Sequence, residues 1–211
     1  MQVIPAILVD TAEELIQQVD KLSSYFQHFQ LDITDGEFVP EKTVSLAEAN
    51  GALSRISVDK ALTIDFDLMI NDVQGAINEI DKLFQKVKVD TIFIHNLNSF
   101  DLRPNLGIAI DPQITIETII QRFDLNLFSG IQIMSIVPGG QGRAFIPETL
   151  HKIERLRKAG YRNKIYLDGG INEKSLPIIL ESQSRPDILC IGGYLTRAEN
   201  LEERVSKLRQ I

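Results

Sequence analysis

Short β-rich runs alternate with amphipathic stretches along the whole chain, and this alternation limits the folds it can adopt. The runs predict eight strands, at residues 3–9, 29–33, 62–69, 91–95, 106–110, 131–136, 165–167 and 188–191. Between them, Thr11 with Glu14 has the pattern of a helix cap, and Pro147 can open a helix that Gly160 ends. Because parallel strands need helical crossovers on their outer faces, we predict an α/β fold with one (β/α)8 barrel domain over residues 1–211. An open doubly wound sheet is the alternative.

One crossover is too short for a regular helix. Only residues 96–105 separate the fourth and fifth strands, and Pro104 interrupts them. The sequence therefore predicts a shortened crossover at this place.

Charge and composition exclude several classes of partner. The chain has 29 acidic and 22 basic side chains, a net charge of -7, which leaves no basic excess for nucleic acid or an anionic membrane surface. No stretch approaches the roughly 20 apolar residues of a spanning helix, and no basic leader opens the sequence. We expect a cytoplasmic protein whose partner is a small molecule. The apolar helix faces leave a homo-oligomer possible.

Acidic side chains gather at the predicted carboxyl ends of the strands, where barrel enzymes carry their active sites. Because side chains alternate with period 2, Gln30 and Asp32 share one strand face, and Asp67 and Met69 share another. Asp168 ends the seventh strand. Burying several charges together costs several kcal/mol per ion unless a cation, a shared proton or hydrogen bonds compensate.

Glycine-rich loops follow the last strands. Glycine lets the backbone approach an anion closely, and each loop precedes a helical segment, so together they predict a phosphate site. The loop residues are Gly139, Gly140, Gln141, Gly142, Arg143, Gly169, Gly170, Gly192 and Gly193.

The motifs in their order resemble the ribulose-phosphate 3-epimerase family. They are PAIL at 5–8, LDITDGEFVP at 31–40, DFDLMI at 65–70, MSIVPGGQGRAFIP at 134–147 and LDGGI at 167–171. The resemblance implies a TIM barrel of the ribulose-phosphate-binding type. It also implies an isomerase of pentose phosphate metabolism, which inverts C3 to interconvert ribulose and xylulose 5-phosphates.

The resemblance implies that Asp32 and Asp168 are the two acid/base groups. The family's metal also binds two histidines, and those positions hold Gln30 and Asp67 here. Three hypotheses follow. Gln30, Asp32, Asp67 and Asp168 could form an all-oxygen site that favours Mg²⁺ or Mn²⁺ over Zn²⁺; catalysis could proceed without a metal; or the barrel could bind a sugar phosphate and be catalytically silent.

Other positions carry weaker expectations. Met69 and Met134 match family methionines beside the sugar, and His95 matches a family histidine that could bind substrate or hold a carboxylate. Arg143 has no family counterpart, and could contact phosphate or point to solvent. An isomerase or lyase for another sugar phosphate is a further alternative, although the Asp-x-Lys-x-x-Asp pattern of the decarboxylase and synthase members is absent. The remaining predictions are a structural His28, an exposed His151 and a buried Cys190.

Overall fold

The computed structural model describes residues 1–56 and 61–211 and contains a closed barrel of eight parallel strands in chain order. The predicted barrel is thus confirmed. The strands are β1 Gln2–Ile7, β2 His28–Thr34, β3 Thr63–Met69, β4 Lys88–Ile94, β5 Leu106–Ile110, β6 Gly130–Met134, β7 Lys164–Asp168 and β8 Ile188–Ile191.

Helices cover the outside of the barrel. They are α1 Ala12–Ser23, α2 Leu46–Arg55, α3 Val73–Leu83, α4 Ile116–Arg122, α5 His151–Lys158, α6 Ser175–Glu181, α7 Gly193–Thr196 and α8 Leu201–Leu208. Thr11 caps α1 by accepting a hydrogen bond from the Glu14 N–H, while a complete, reciprocal capping box forms at α2 between Ser45 and Glu48. The predicted helix after Pro147 starts with a 3₁₀ turn at Pro147–Leu150 and continues as α5. None of the helices in the described ranges is long and apolar enough to cross a membrane.

The crossover between β4 and β5 has no helix among its residues, all of which the structure describes. In the absence of a helix, Phe100 of this crossover packs against two other aromatic rings. The centre of its ring lies 5.9 Å from that of Phe123 and 6.4 Å from that of Phe128. Arg103 ties the loop to Asp81 on α3 through two hydrogen bonds of 2.9 Å. The predicted shortening is confirmed, and aromatic packing closes the gap that it leaves.

Two hydrophobic cores follow from the alternation of side chains along each strand. The larger core lies between the strands and the helices, and the smaller fills the barrel with residues such as Ile4, Phe93 and Tyr166. Polar residues share the barrel interior, because Asp32 pairs in register with Asp67 across β2 and β3, and Met134 with Asp168 across β6 and β7. The strand register therefore sets Asp32 and Asp67 side by side and places Asp168 beside Met134.

Candidate active site

A cavity of about 250 Å³ opens at the carboxyl-terminal ends of the strands. Asp32, Asp67 and Asp168 line it together with Met69 and Met134. The glycine loops after β6, β7 and β8 border the same cavity, and their lining residues are Gly139, Gly140, Gln141, Gly142, Arg143, Gly169, Gly170, Gly192 and Gly193. The predicted acidic residues and the predicted phosphate loops are thus brought to one place.

Gln30 joins the two aspartates that the sequence singles out. Its Nε2 donates to Asp32 Oδ1 at 3.0 Å and to Asp168 Oδ2 at 2.9 Å. Around the closed barrel, only β8 and β1 stand between the strands that carry these two carboxylates. One amide group therefore fixes the orientation of both carboxylates at the floor of the cavity.

Burial and electrostatic repulsion disfavour the state in which Asp32 and Asp168 are both ionised. Burial raises the pKa of Asp32 well above its usual range, and the charges of Asp168 and Asp67 raise it further. Burial and the charge of Asp67 raise the pKa of Asp168 to about 7. Two interacting carboxyls titrate as a pair, so near neutral pH one of them can hold a proton while the other is ionised.

Asp67 and His95 form a buried hydrogen-bonded chain with Asp111, which directly follows β5. His95 Nε2 lies 2.9 Å from Asp67 Oδ1, and Nδ1 lies 2.8 Å from Asp111 Oδ1. Burial disfavours the charged imidazole, but Asp67 and Asp111 outweigh it and raise the pKa of His95 to about 10. With a carboxylate at each ring nitrogen, His95 is an imidazolium that donates to both. Its positive charge offsets part of the negative charge of the site.

The donor atoms of the site suit a hard divalent cation. Asp32, Asp67 and Asp168 each offer an oxygen within 4.8 Å of the others. Asp67 Oδ2 and Gln30 Oε1 are buried and have no hydrogen-bond partner among the described residues. Oxygen donors of this kind are the ligands that Mg²⁺ and Mn²⁺ prefer, so the residues present fit such an ion.

Gly169 and Gly170, in the loop after β7, lie too close to their neighbours to carry a side chain. A Cβ on Gly169 would lie 2.5 Å from Ile136 Cγ1, and one on Gly170 would lie 2.9 Å from the Phe145 backbone. Both glycines also have positive φ angles, of 110° and 65°, which L side chains rarely adopt. Glycine is therefore required at both positions.

Two arginines border the cavity, and they differ in what they contact. Arg143 lines the cavity and is partly exposed, and it binds Glu41 Oε1 at 2.6 Å and the carbonyls of Val137 and Pro138. Arg197 makes no ion pair or side-chain hydrogen bond with any described residue. Its guanidinium lies 3.9 Å from where a Gly142 Cβ would be. Arg197 therefore presents a positive charge beside the glycine loops.

The structure places the remaining candidates as follows. His95 holds carboxylates and reaches the cavity only through Asp67. His151 is exposed and Cys190 is buried, as predicted. Sequence reasoning missed Asp111 and Arg197. Asp111 directly follows β5, so the rule that selected Asp32 and Asp168 would have found it; Arg197 follows α7, where no strand-end rule applies.

The fold and the site define a (β/α)8-barrel protein with an acidic cavity at the strand ends where barrel enzymes carry out their chemistry. The chain matches the ribulose-phosphate 3 epimerase family over residues 2–195, and it belongs to that family. A ribulose-phosphate 3-epimerase of Chlamydia muridarum is 30% identical over 197 residues, which cover 85% of this chain and 81% of the relative. One from Methanocaldococcus jannaschii is 25% identical over 192 residues, which cover 86% of this chain and 78% of the relative.

Solved structures with the same fold include the tryptophan synthase alpha-subunit of Pyrococcus furiosus. A mutant of that subunit superposes with a TM-score of 0.67 at 14% identity and covers 100% of this chain and 98% of its own. The likeness establishes the barrel fold.

Proposed function

We propose that this protein interconverts ribulose 5-phosphate and xylulose 5-phosphate by two-base proton transfer at C3, through an enediolate. The observation that carries the proposal is the pair Asp32 and Asp168, which line one cavity and are joined by the Gln30 amide. The family membership of the chain and the names of its relatives support an epimerase.

Inversion at a carbon beside a ketone needs one group to remove a proton from one face and another to return a proton to the opposite face. An ionised aspartate can do the first, and a protonated aspartate the second. The raised pKa values of Asp32 and Asp168 favour this mixed state near neutral pH. Because the pair exchanges roles when the reaction reverses, the same residues serve both directions.

Negative charge grows on the substrate oxygens as the proton leaves, and it needs stabilisation. A divalent cation held by Asp32, Asp67, Asp168 and the Gln30 amide oxygen would polarise those oxygens when bound. The all-oxygen donor set favours Mg²⁺ or Mn²⁺ over Zn²⁺. His95 holds Asp67 in place by its hydrogen bond of 2.9 Å.

The substrate phosphate would lie against the glycine loops. Their bare backbone gives close access for an anion, and Arg197 adds a positive charge at the same rim. Met69 and Met134 supply apolar surface between this rim and the carboxylates.

A coupled epimerase assay tests the proposal. The purified protein is treated with a chelator and assayed alone and after addition of Mg²⁺, Mn²⁺ or Zn²⁺. We expect turnover of ribulose 5-phosphate, with more activity in Mg²⁺ or Mn²⁺ than in Zn²⁺. Absence of turnover under every condition would reject the proposed epimerase activity.

The replacement of two family histidines by Gln30 and Asp67 favours one other candidate, a silent barrel that binds a sugar phosphate without converting it. Calorimetric titration with ribulose 5-phosphate separates the two. Binding without turnover supports the silent barrel, and turnover rejects it.

A further inference from the structure

Arg143 and Glu41 join two loops beside the cavity, and the proposed reaction uses neither side chain. The β2 loop is residues 35–45, between β2 and α2, and the β6 loop is residues 135–146, between β6 and the 3₁₀ turn before α5. The β6 loop lines the cavity and carries Arg143, while Glu41 belongs to the β2 loop. The contacts between the two loops therefore bear on the place where the substrate phosphate is proposed to lie.

The two loops are packed closely against each other. A Cβ on Gly139 would lie 2.8 Å from the Cβ of Val39 and 2.9 Å from Glu41 Oε2, so a side chain there would force the β2 loop to shift. Gly139 also has a φ of 100°, in the left-handed region that favours glycine. The path of the β6 loop therefore depends on the β2 loop beside it.

The guanidinium of Arg143 binds three acceptors in the two loops. Nη2 donates to Glu41 Oε1 at 2.6 Å, and Nη1 donates to the carbonyl of Val137 at 2.9 Å and to that of Pro138. The guanidinium also lies against Gly140, where a Cβ would be 3.1 Å from Nε. Arg143 thus folds back over the first part of its own loop and links that part to Glu41.

The β2 loop is itself held at both ends. Asp35 Oδ1 accepts from the Phe38 N–H at 2.8 Å, and Oδ2 accepts from the Asn71 N–H at 2.7 Å. At the other end, Thr43 Oγ1 accepts from the Thr34 N–H at 3.0 Å. The loop that carries the Glu41 carboxylate is therefore a fixed support for the β6 loop.

These contacts distinguish Arg143 from Arg197, the other arginine that lines the cavity. Arg197 has no ion-pair partner among the described residues. Glu41 lies 2.6 Å from Arg143, so a phosphate would have to compete with a carboxylate for that guanidinium. Because the pair of Glu41 and Arg143 is neutral as a whole, it contributes to the conformation of the β6 loop and not to the attraction of an anion.

We propose that Glu41 and Arg143 are positioning residues, which hold the β6 loop in the conformation that receives the substrate phosphate. This inference rests on the proposed function, because that function places the phosphate against the glycines of the β6 loop. When only a fraction of the molecules has a loop in its binding conformation, the apparent affinity falls by that fraction. A pair that keeps the loop formed before the substrate arrives therefore strengthens binding without touching the phosphate.

Calorimetric titration with inorganic phosphate and with ribulose 5-phosphate tests this role. We expect Arg143→Met and Glu41→Met each to weaken the binding of both ligands by about fivefold or more. Because each variant removes the same interaction, the double variant should bind about as weakly as Arg143→Met alone. In the epimerase assay, KM should rise by a similar factor, while kcat changes less. Arg155→Met, which breaks an ion pair with Glu117 between α5 and α4, is the matched control and keeps the affinity of the unmodified protein.

Hydrogen–deuterium exchange of the unliganded protein measures the loop itself, independently of phosphate and of turnover. We expect faster exchange in the β6 loop of Arg143→Met and of Glu41→Met, and no change there in Arg155→Met. Unchanged exchange in the β6 loop of both variants overturns the proposal. Tighter phosphate binding by Glu41→Met also overturns it, because Arg143 would then be a phosphate ligand that Glu41 restrains.

The outcomes separate this role from the epimerase activity. If the unmodified protein shows no turnover, but both variants weaken phosphate binding and exchange faster in the β6 loop, the epimerase is rejected and the positioning role is supported. If turnover occurs, and both variants keep the affinity and the exchange of the unmodified protein, the epimerase stands and the positioning role is wrong.

Discussion

Asp67 is the single residue that most changes the chemistry of the site. Where the family that this chain resembles has a histidine, Asp67 brings another carboxylate into a fully buried position beside Asp32 and Asp168. The His95 imidazolium, held between Asp67 and Asp111, offsets that charge. Together with Gln30 at the other histidine position, Asp67 makes the donor set one of oxygens, and His95 keeps the Asp67 carboxylate oriented.

The acid/base role of Asp168 predicts a selective loss of turnover. Asp168→Asn keeps an acceptor for the Gln30 amide but cannot exchange a proton, so we expect kcat/KM to fall by roughly 10²–10⁴. Because one buried like charge is removed, the unfolding temperature should stay the same or rise. The coupled assay and circular dichroism measure the two quantities.

Asp20→Asn on the exposed face of α1 is the control for Asp168→Asn, and it should leave kcat/KM unchanged. Full activity of Asp168→Asn would remove Asp168 from the reaction.

The position of Arg197 predicts that replacing it weakens the binding of the substrate phosphate. Its guanidinium borders the glycine loops and has no ion-pair partner among the described residues. A charge-assisted hydrogen bond at an exposed rim is worth about 1.5 kcal/mol, so Arg197→Ala should raise KM roughly tenfold and change kcat less. Arg197→Lys should recover part of the loss, and calorimetry with inorganic phosphate should give the same order of affinities. An unchanged KM in Arg197→Ala would place the phosphate elsewhere.

The sequence predicts the positions of individual site residues better than their contacts. Alternation along the strands suffices to place Asp32, Asp67 and Asp168 at the cavity, because period 2 and the carboxyl-end rule are local. That Gln30 bridges two aspartates depends on the closure of the barrel, which brings β7 near β2. That Arg143 binds Glu41 depends on the path of two loops, for which the sequence has no periodic signal.

At the scale of elements, α5 is anchored to the barrel by a buried lysine. Lys152 donates to the carbonyls of Asp111 at 2.7 Å and of Pro112 at 2.9 Å, which follow β5. Its side chain thus links α5 to the segment that carries Asp111. Burial lowers the pKa of Lys152 to about 8, although the charge of Asp111 opposes this.

The lowered pKa of Lys152 predicts that the stability of the protein depends on pH. An unfolded lysine has a pKa of about 10.4, so above pH 8 the folded chain releases a proton that the unfolded chain keeps. The free energy of unfolding should therefore gain roughly 2–3 kcal/mol from this group as pH rises toward 10.4. Lys152→Met should lack that gain, as measured by urea unfolding at several pH values.

Lys158→Met, on the exposed part of the same helix, is the control and should keep the pH dependence of the unmodified protein. Equal slopes for Lys152→Met and the unmodified protein would show that Lys152 is not titrating in this range.

The sequence predicts a helix or a loop correctly where neighbouring residues alone determine it. The short crossover after β4 follows from its length and Pro104, and the helix after Pro147 follows from its flanking proline and glycine. The cluster of Phe100, Phe123 and Phe128 that fills the place of the missing helix was not predicted, because it joins residues from separate loops.

At the scale of the whole molecule, the two ends of the barrel carry different chemistry on one set of strands. β2 and β3 contribute Asp32 and Asp67 to the cavity at their carboxyl ends, and at the other end they contribute His28 and Asp65, which form an ion pair of 2.9 Å. The closed barrel holds both groups rigidly because every strand pairs with two neighbours.

We propose that Asp32 and Asp168 move protons at C3 of a pentulose phosphate from opposite faces. Proton NMR of ribulose 5-phosphate in D₂O with the purified protein and Mg²⁺ or Mn²⁺ tests it most directly. We expect that xylulose 5-phosphate forms and that solvent deuterium enters C3 alone. Deuterium at another carbon, or no exchange and no xylulose 5-phosphate, would contradict it.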